Sequence, residues 1–69
     1  MPDRYTVHVA GADGKVDYQG AVSSGDDPRS CSESARRAAL GGRRAEVVDH
    51  ELNRVIFRAE GDTFRWLTR

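Results

Sequence analysis

The chain has one cysteine, one lysine and no long apolar run, and each shortage excludes a class of protein. With Cys31 alone, no internal disulfide can form. No Cys/His cluster has the spacing of a zinc site, so no metal staple is expected. His8 and His50, with Asp17, Asp49 and Glu51, match no ligand pattern, and neither metal nor cofactor is expected. No stretch approaches the ~20 apolar residues of a membrane span. The opening Met-Pro-Asp-Arg-Tyr lacks the apolar segment of a signal peptide. These features predict a protein of the reducing cytoplasm that does not engage a membrane. One Lys against ten Arg, with abundant Ala, Gly and Val, suggests a GC-rich bacterial or phage gene.

Recognisable catalytic chemistry is also missing. Cys31 near a helix start has no His or Asp at a nucleophile's spacing, and is read as a small buried residue. The stretch from Val9 to Lys15 lacks both the spacing of a phosphate-binding loop and the helix that must follow one. Asp26 and Asp27 are better explained by helix capping than by acid–base work. The sequence predicts no catalytic residues and no enzyme.

Sixty-nine residues make one domain, 1–69. A chain of this size buries only about 60% of its unfolded surface, so self-association is an expected source of extra stability. The formal net charge is zero, which argues against strong nonspecific binding to nucleic acid. The charge is nonetheless uneven. Residues 1–34 carry three basic and six acidic side chains, and residues 35–69 carry eight and five. The halves either neutralise each other in the fold or leave a basic side.

What is present is strand periodicity around one helix. In the hairpin 4–23, Tyr5, Val7 and Val9 alternate with polar residues, and Val16, Tyr18 and Val22 do so again. Asp13-Gly14 between them is a strong two-residue turn signal. It predicts the pairs Val9–Tyr18, Val7–Gly20 and Tyr5–Val22. The helix 28–40 starts at an Asp27 cap with Pro28 in its first position, or at a Ser30–Glu33 capping box, and stops at Gly41-Gly42. Its inward side is Cys31, Ala35, Ala38 and Ala39, with Leu40 in the last turn, and it buries little area.

The meander 44–69 carries the larger apolar residues. Gly61-Asp62 is a two-residue turn that pairs Ala59 with Phe64, Phe57 with Trp66 and Arg58 with Arg65, and carries the ladder on to Val55–Thr68, Ile56–Leu67 and Arg54–Arg69. A three-residue loop, Glu51-Leu52-Asn53 with Asn53 left-handed, pairs Val47 with Phe57, Glu46 with Arg58, Val48 with Ile56 and His50 with Arg54. Val47, Val55, Phe57, Phe64 and Trp66 then face the core. The fold class expected is α+β in the order ββαβββ, one helix on one face of a small, mostly antiparallel sheet.

The other sheet face has no second layer in this reading. It carries an apolar row, Val48–Ile56–Leu67, bordered by Arg54, Arg58, Arg65 and Arg69. An apolar centre ringed by Arg has the composition of a protein interface. The functional expectation is a small non-enzymatic module that uses this face to self-associate as a homodimer, or to bind or inhibit a larger protein. The alternative is a nucleic-acid-binding module using Arg43, Arg44, Arg54, Arg58, Arg65 and Arg69. The aromatics that would stack on bases are expected on the core side, which weakens it.

Overall fold

One helix cap and two glycine-bearing turns set the path of the chain. The structure is a computed structural model and describes residues 3–67. Helix α1 spans Pro28–Ala39. Asp27, in extended conformation, accepts the Arg29 N–H at 3.0 Å and the Ser30 hydroxyl at 3.1 Å. Pro28 occupies the first turn, where its missing N–H removes no helical bond. The helix stops one residue sooner than expected. Leu40 leaves the helical region, and Gly41 and Gly42 follow with φ of 95° and 92°, values that L side chains rarely adopt.

Five strands complete the fold: β1 (Tyr5–Val9), β2 (Ser23–Gly25), β3 (Arg44–Asp49), β4 (Arg54–Glu60) and β5 (Thr63–Trp66). They form one antiparallel sheet in the order β2-β1-β3-β4-β5, with α1 packed on it. The architecture is α+β, as the pattern of elements implied. The buried cluster lies between helix and sheet and includes Tyr5, Val7, Cys31, Ala35, Ala45, Val47 and Phe57. Alanines on α1 and at Ala45 and Ala59 let the helix sit close, so Phe57 is the largest fully buried side chain.

The β4–β5 hairpin has the expected register. Gly61, at φ 60°, opens the turn, and Phe57 pairs with Trp66, Arg58 with Arg65 and Ala59 with Phe64. The expected pairs to Thr68 and Arg69 lie outside the described residues. Asn53 is left-handed at φ 57°, also as expected.

Three expectations are corrected. First, the pairing of β3 with β4 slips between Val47 and Val48. Val47 still faces Phe57, but Val48 faces Val55 and Asp49 faces Arg54. Ile56 is the extra residue of a β-bulge and joins the buried cluster at 4% exposure. The cause lies in the loop, which takes in His50 as well as Glu51-Leu52-Asn53. The Asp49 carboxylate holds that loop by accepting the N–H groups of Glu51 (2.9 Å) and Leu52 (3.2 Å).

Second, the first hairpin turns one residue wider than expected. Gly11 N–H donates to the Lys15 carbonyl at 2.9 Å, closing a three-residue loop with Gly14 at φ 81°. A one-residue slip moves every following side chain to the other face. After the Ala10–Val16 bridge the ladder therefore breaks, and it resumes with Val7–Ser23, Thr6–Ser24 and Tyr5–Gly25. Residues 17–22 leave the sheet, with Tyr18 and Val22 largely exposed.

Third, α1 does not cover β5. It packs against β1, β2, β3 and β4. Phe64 and Trp66, expected in the core, are 47% and 46% exposed, and Leu40 is 63% exposed. Geometry explains this. Five strands about 4.8 Å apart span roughly 19 Å, and one helix is only about 10 Å wide.

Candidate functional site

The sheet face away from α1 is not bare. Its centre is Glu46, which is 2% exposed and flanked across the sheet by His8 and Arg58. Arg58 Nε donates to Glu46 Oε2 at 2.7 Å, and the Tyr18 hydroxyl donates to Oε1. A buried carboxylate needs such partners, because an unpaired charge away from water is strongly unfavourable. The same pair relieves the like-charge opposition of Arg58 and Arg65. Donation to Glu46, with some burial, raises the Tyr18 pKa above its ordinary value.

His8 anchors the segment that brings Tyr18 there. Its Nδ1 lies 3.0 Å from the Asp17 carbonyl and 3.1 Å from the Gly20 carbonyl. Carbonyls only accept, so Nδ1 carries the hydrogen. In the neutral ring Nε2 then accepts from the Thr6 hydroxyl at 2.7 Å, and Thr6 Oγ1 accepts from His50 Nε2 at 2.6 Å. The His8 and Tyr18 rings pack with centroids 5.7 Å apart. Residues 17–22 thus form a partial second layer over β1 and β3, and the expectation of an uncovered face is corrected.

One end of the sheet is closed by Arg4. Its guanidinium forks onto Asp49 (Nε to Oδ1 3.1 Å, Nη2 to Oδ2 3.0 Å) and reaches Glu51 at 3.3 Å. Arg4 holds the Asp49 carboxyl below the usual carboxylate range, helped by the loop N–H groups and opposed by burial. Cys31 is buried, and burial together with Asp27, Asp3 and Asp26 pushes its thiol up, against the thiolate a nucleophile needs. Among the described residues, no group of three or more His, Cys, Asp and Glu is placed to hold a metal ion, and no helix is long and apolar enough to cross a membrane.

The residues singled out from sequence are only partly brought together. The Val48–Ile56–Leu67 row does not form, because the bulge buries Ile56 and sets Val48 against Val55. Val48, Val55 and Leu67 are partly buried, and Arg54 and Arg65 are exposed. Arg58 is bound to Glu46, and Arg44 to Glu60 at 3.5 Å. Arg43 is exposed before β3, and Arg69 lies outside the described residues.

The surface that sequence reading missed is the flank of the sheet at β5. On the helix side lie Phe64 and Trp66, with Leu40 across a groove that Glu33, Arg36, Arg37 and Asp62 also line. The Arg36 guanidinium sits 4.1 Å from the Phe64 ring centroid, and Trp66 meets Phe57 edge-on at 4.7 Å. On the opposite side are Arg65 and, just past the strand, Leu67. The Leu67 N–H donates to the Ile56 carbonyl at 2.8 Å. By the alternation of an antiparallel ladder, the N–H and C=O of Phe64 and Trp66 therefore point to the free edge. The available signal was the width mismatch between one helix and five strands.

Fold and surface together define a small α+β domain with one covered sheet face, one partly strapped face and an aromatic open edge. Comparison with protein-family models, curated proteins and solved structures finds no match.

Proposed function

We propose that this protein is a non-enzymatic protein-interaction module whose recognition element is β5. The observation that supports this most is the coincidence, on one strand, of unpaired backbone groups and two half-exposed aromatic side chains. An extended segment added at this edge would satisfy the backbone groups and cover Phe64 and Trp66, the usual chemistry of strand addition. Arg65 and Leu67, expected from sequence at an interface, flank the same strand on its other side, with Val48 further along that face, whereas the bulge sets Arg54 opposite Asp49 and so turns it to the other face.

The nucleic-acid alternative has less support. Two of its arginines, Arg44 and Arg58, are already paired with Glu60 and Glu46. Arg36 covers one face of Phe64, where a base would stack.

The test uses Trp66, the only tryptophan of the chain, as reporter. Random twelve-residue peptides are selected against dilute wild-type protein. Peptides rich in β-branched and aromatic residues should be enriched, should shift Trp66 emission to the blue, and should lose binding to Phe64→Pro. That substitution removes an N–H facing the free edge and leaves the β4 ladder bonds in place. Failure to enrich such peptides, or equal binding to Phe64→Pro, overturns this site. Trp66 quenching by single-stranded oligonucleotides that weakens steeply with salt would support the alternative.

A further inference from the structure

We infer that the partner strand is β5 of a second copy, paired antiparallel across a two-fold axis at Phe64 to give a continuous ten-stranded sheet. This rests on the reading of β5 as the recognition strand. It names the occupant.

The two sheet edges differ. β2 has three residues and runs straight into Asp26, Asp27 and Pro28, acidic and proline-bearing features that discourage pairing. β5 is longer, and within Thr63–Trp66 it has no Pro, no Lys and no bulge. Its one charge, Arg65, projects to the face away from α1 and leaves the edge itself unguarded.

Charge then selects the register. Pairing requires the outward groups of Phe64 and Trp66 to meet the same groups of the copy. A two-fold axis at Arg65 would set Arg65 against its own mate, beside the Arg58–Arg65 pair that already exists, in a row of four arginines. A two-fold axis at Trp66 would start from the last residue of the strand and leave most of β5 unmatched. With the axis at Phe64, Phe64 meets Phe64 of the copy, Arg65 meets Thr63, and Trp66 meets Asp62. No like charges oppose, and the two exposed phenylalanines cover each other on the helix side. The formal net charge of zero gives the copies no long-range repulsion.

The paired strand is four residues long. It buries well under the ~1,600 Å² of a standard stable interface, so association should be reversible and depend on concentration. Sedimentation equilibrium of the wild type from micromolar to millimolar should show the mass double. Phe64→Lys should hold the mass at one chain over the same range. The register is read by single cysteines, with buried Cys31 as the unreactive internal control. The axis at Phe64 brings its two Cα atoms about 5.5 Å apart, within disulfide reach. It leaves the Trp66 Cα atoms roughly 14 Å apart. Under mild oxidation, Phe64→Cys should form a covalent dimer at least tenfold faster than Trp66→Cys.

A wild-type mass of one chain throughout, or equal crosslinking of the two cysteine variants, overturns the inference. If the chain stays single but selected peptides still bind β5, only self-pairing fails. If neither occurs, the recognition strand itself is misassigned.

Discussion

The guanidinium of Arg36 rests 4.1 Å from the ring centroid of Phe64, the place where α1 reaches toward β5 without covering it. Phe64 is thus held by a cation over one face and by the Phe57 ring 5.8 Å away, while 47% of its surface stays open. Phe57, 1% exposed, has the opposite situation. Phe57→Ala should cost about 3–5 kcal/mol and unfold much of the population. Phe64→Ala should cost about 1 kcal/mol, and Arg36→Ala about 0.5–1 kcal/mol. Urea denaturation followed by circular dichroism distinguishes these values; equal losses at Phe57 and Phe64 would contradict the partial cover.

Ile56→Glu separates the bulged register from the regular one. In a regular ladder Ile56 would face outward and a carboxylate there would be tolerated. In the bulged strand Ile56 belongs to the core, and Glu would place a charge there without a partner. The expected outcome is loss of cooperative unfolding and of the dispersed amide spectrum. A folded Ile56→Glu protein would show that the bulge is wrong.

Tyr18 and Glu46 predict an alkaline response. The folded Tyr18 pKa is raised, so its contribution is fully present below the unfolded value of about 10 and fades as pH rises through the folded value. Absorbance titration near 295 nm should show one of the two tyrosines ionising late, and Tyr18→Phe should abolish that phase. Losing the hydroxyl also leaves Glu46 with Arg58 alone, a cost of about 1–2 kcal/mol at neutral pH.

Asp49 predicts the acid limb. Its folded pKa is lowered, chiefly by the hydrogen bonds from Arg4, so its contribution is present above the unfolded value near 4 and is lost as pH falls through the folded value. Thermal melts between pH 5 and pH 2 should steepen for the wild type relative to Asp49→Asn. At neutral pH Asp49→Ala should cost on the order of 2 kcal/mol, because the Glu51 and Leu52 N–H groups lose their acceptor. Parallel acid limbs for wild type and Asp49→Asn would remove Asp49 from this role.

Local chemistry alone determined much of this molecule. The Asp27–Pro28 start of α1, the Gly41-Gly42 stop, the left-handed Asn53 and the Gly61-Asp62 turn each follow from what one or two residues allow the backbone to do. So does the β4–β5 register, because a two-residue turn leaves no slack. Tertiary structure decided what depends on residues distant in sequence. His8 fastening the carbonyls of Asp17 and Gly20, and Glu46 capturing both Tyr18 and Arg58, lifted residues 17–22 out of the sheet and onto its far face. The Arg4–Asp49 pair and the loop it steadies accompanied a bulge that drew Ile56 inward and dissolved the apolar row the alternation implied. The open β5 flank was settled last, by the width of a single helix over five strands. Alternation assigns a side chain to a face, but only packing decides whether anything covers it.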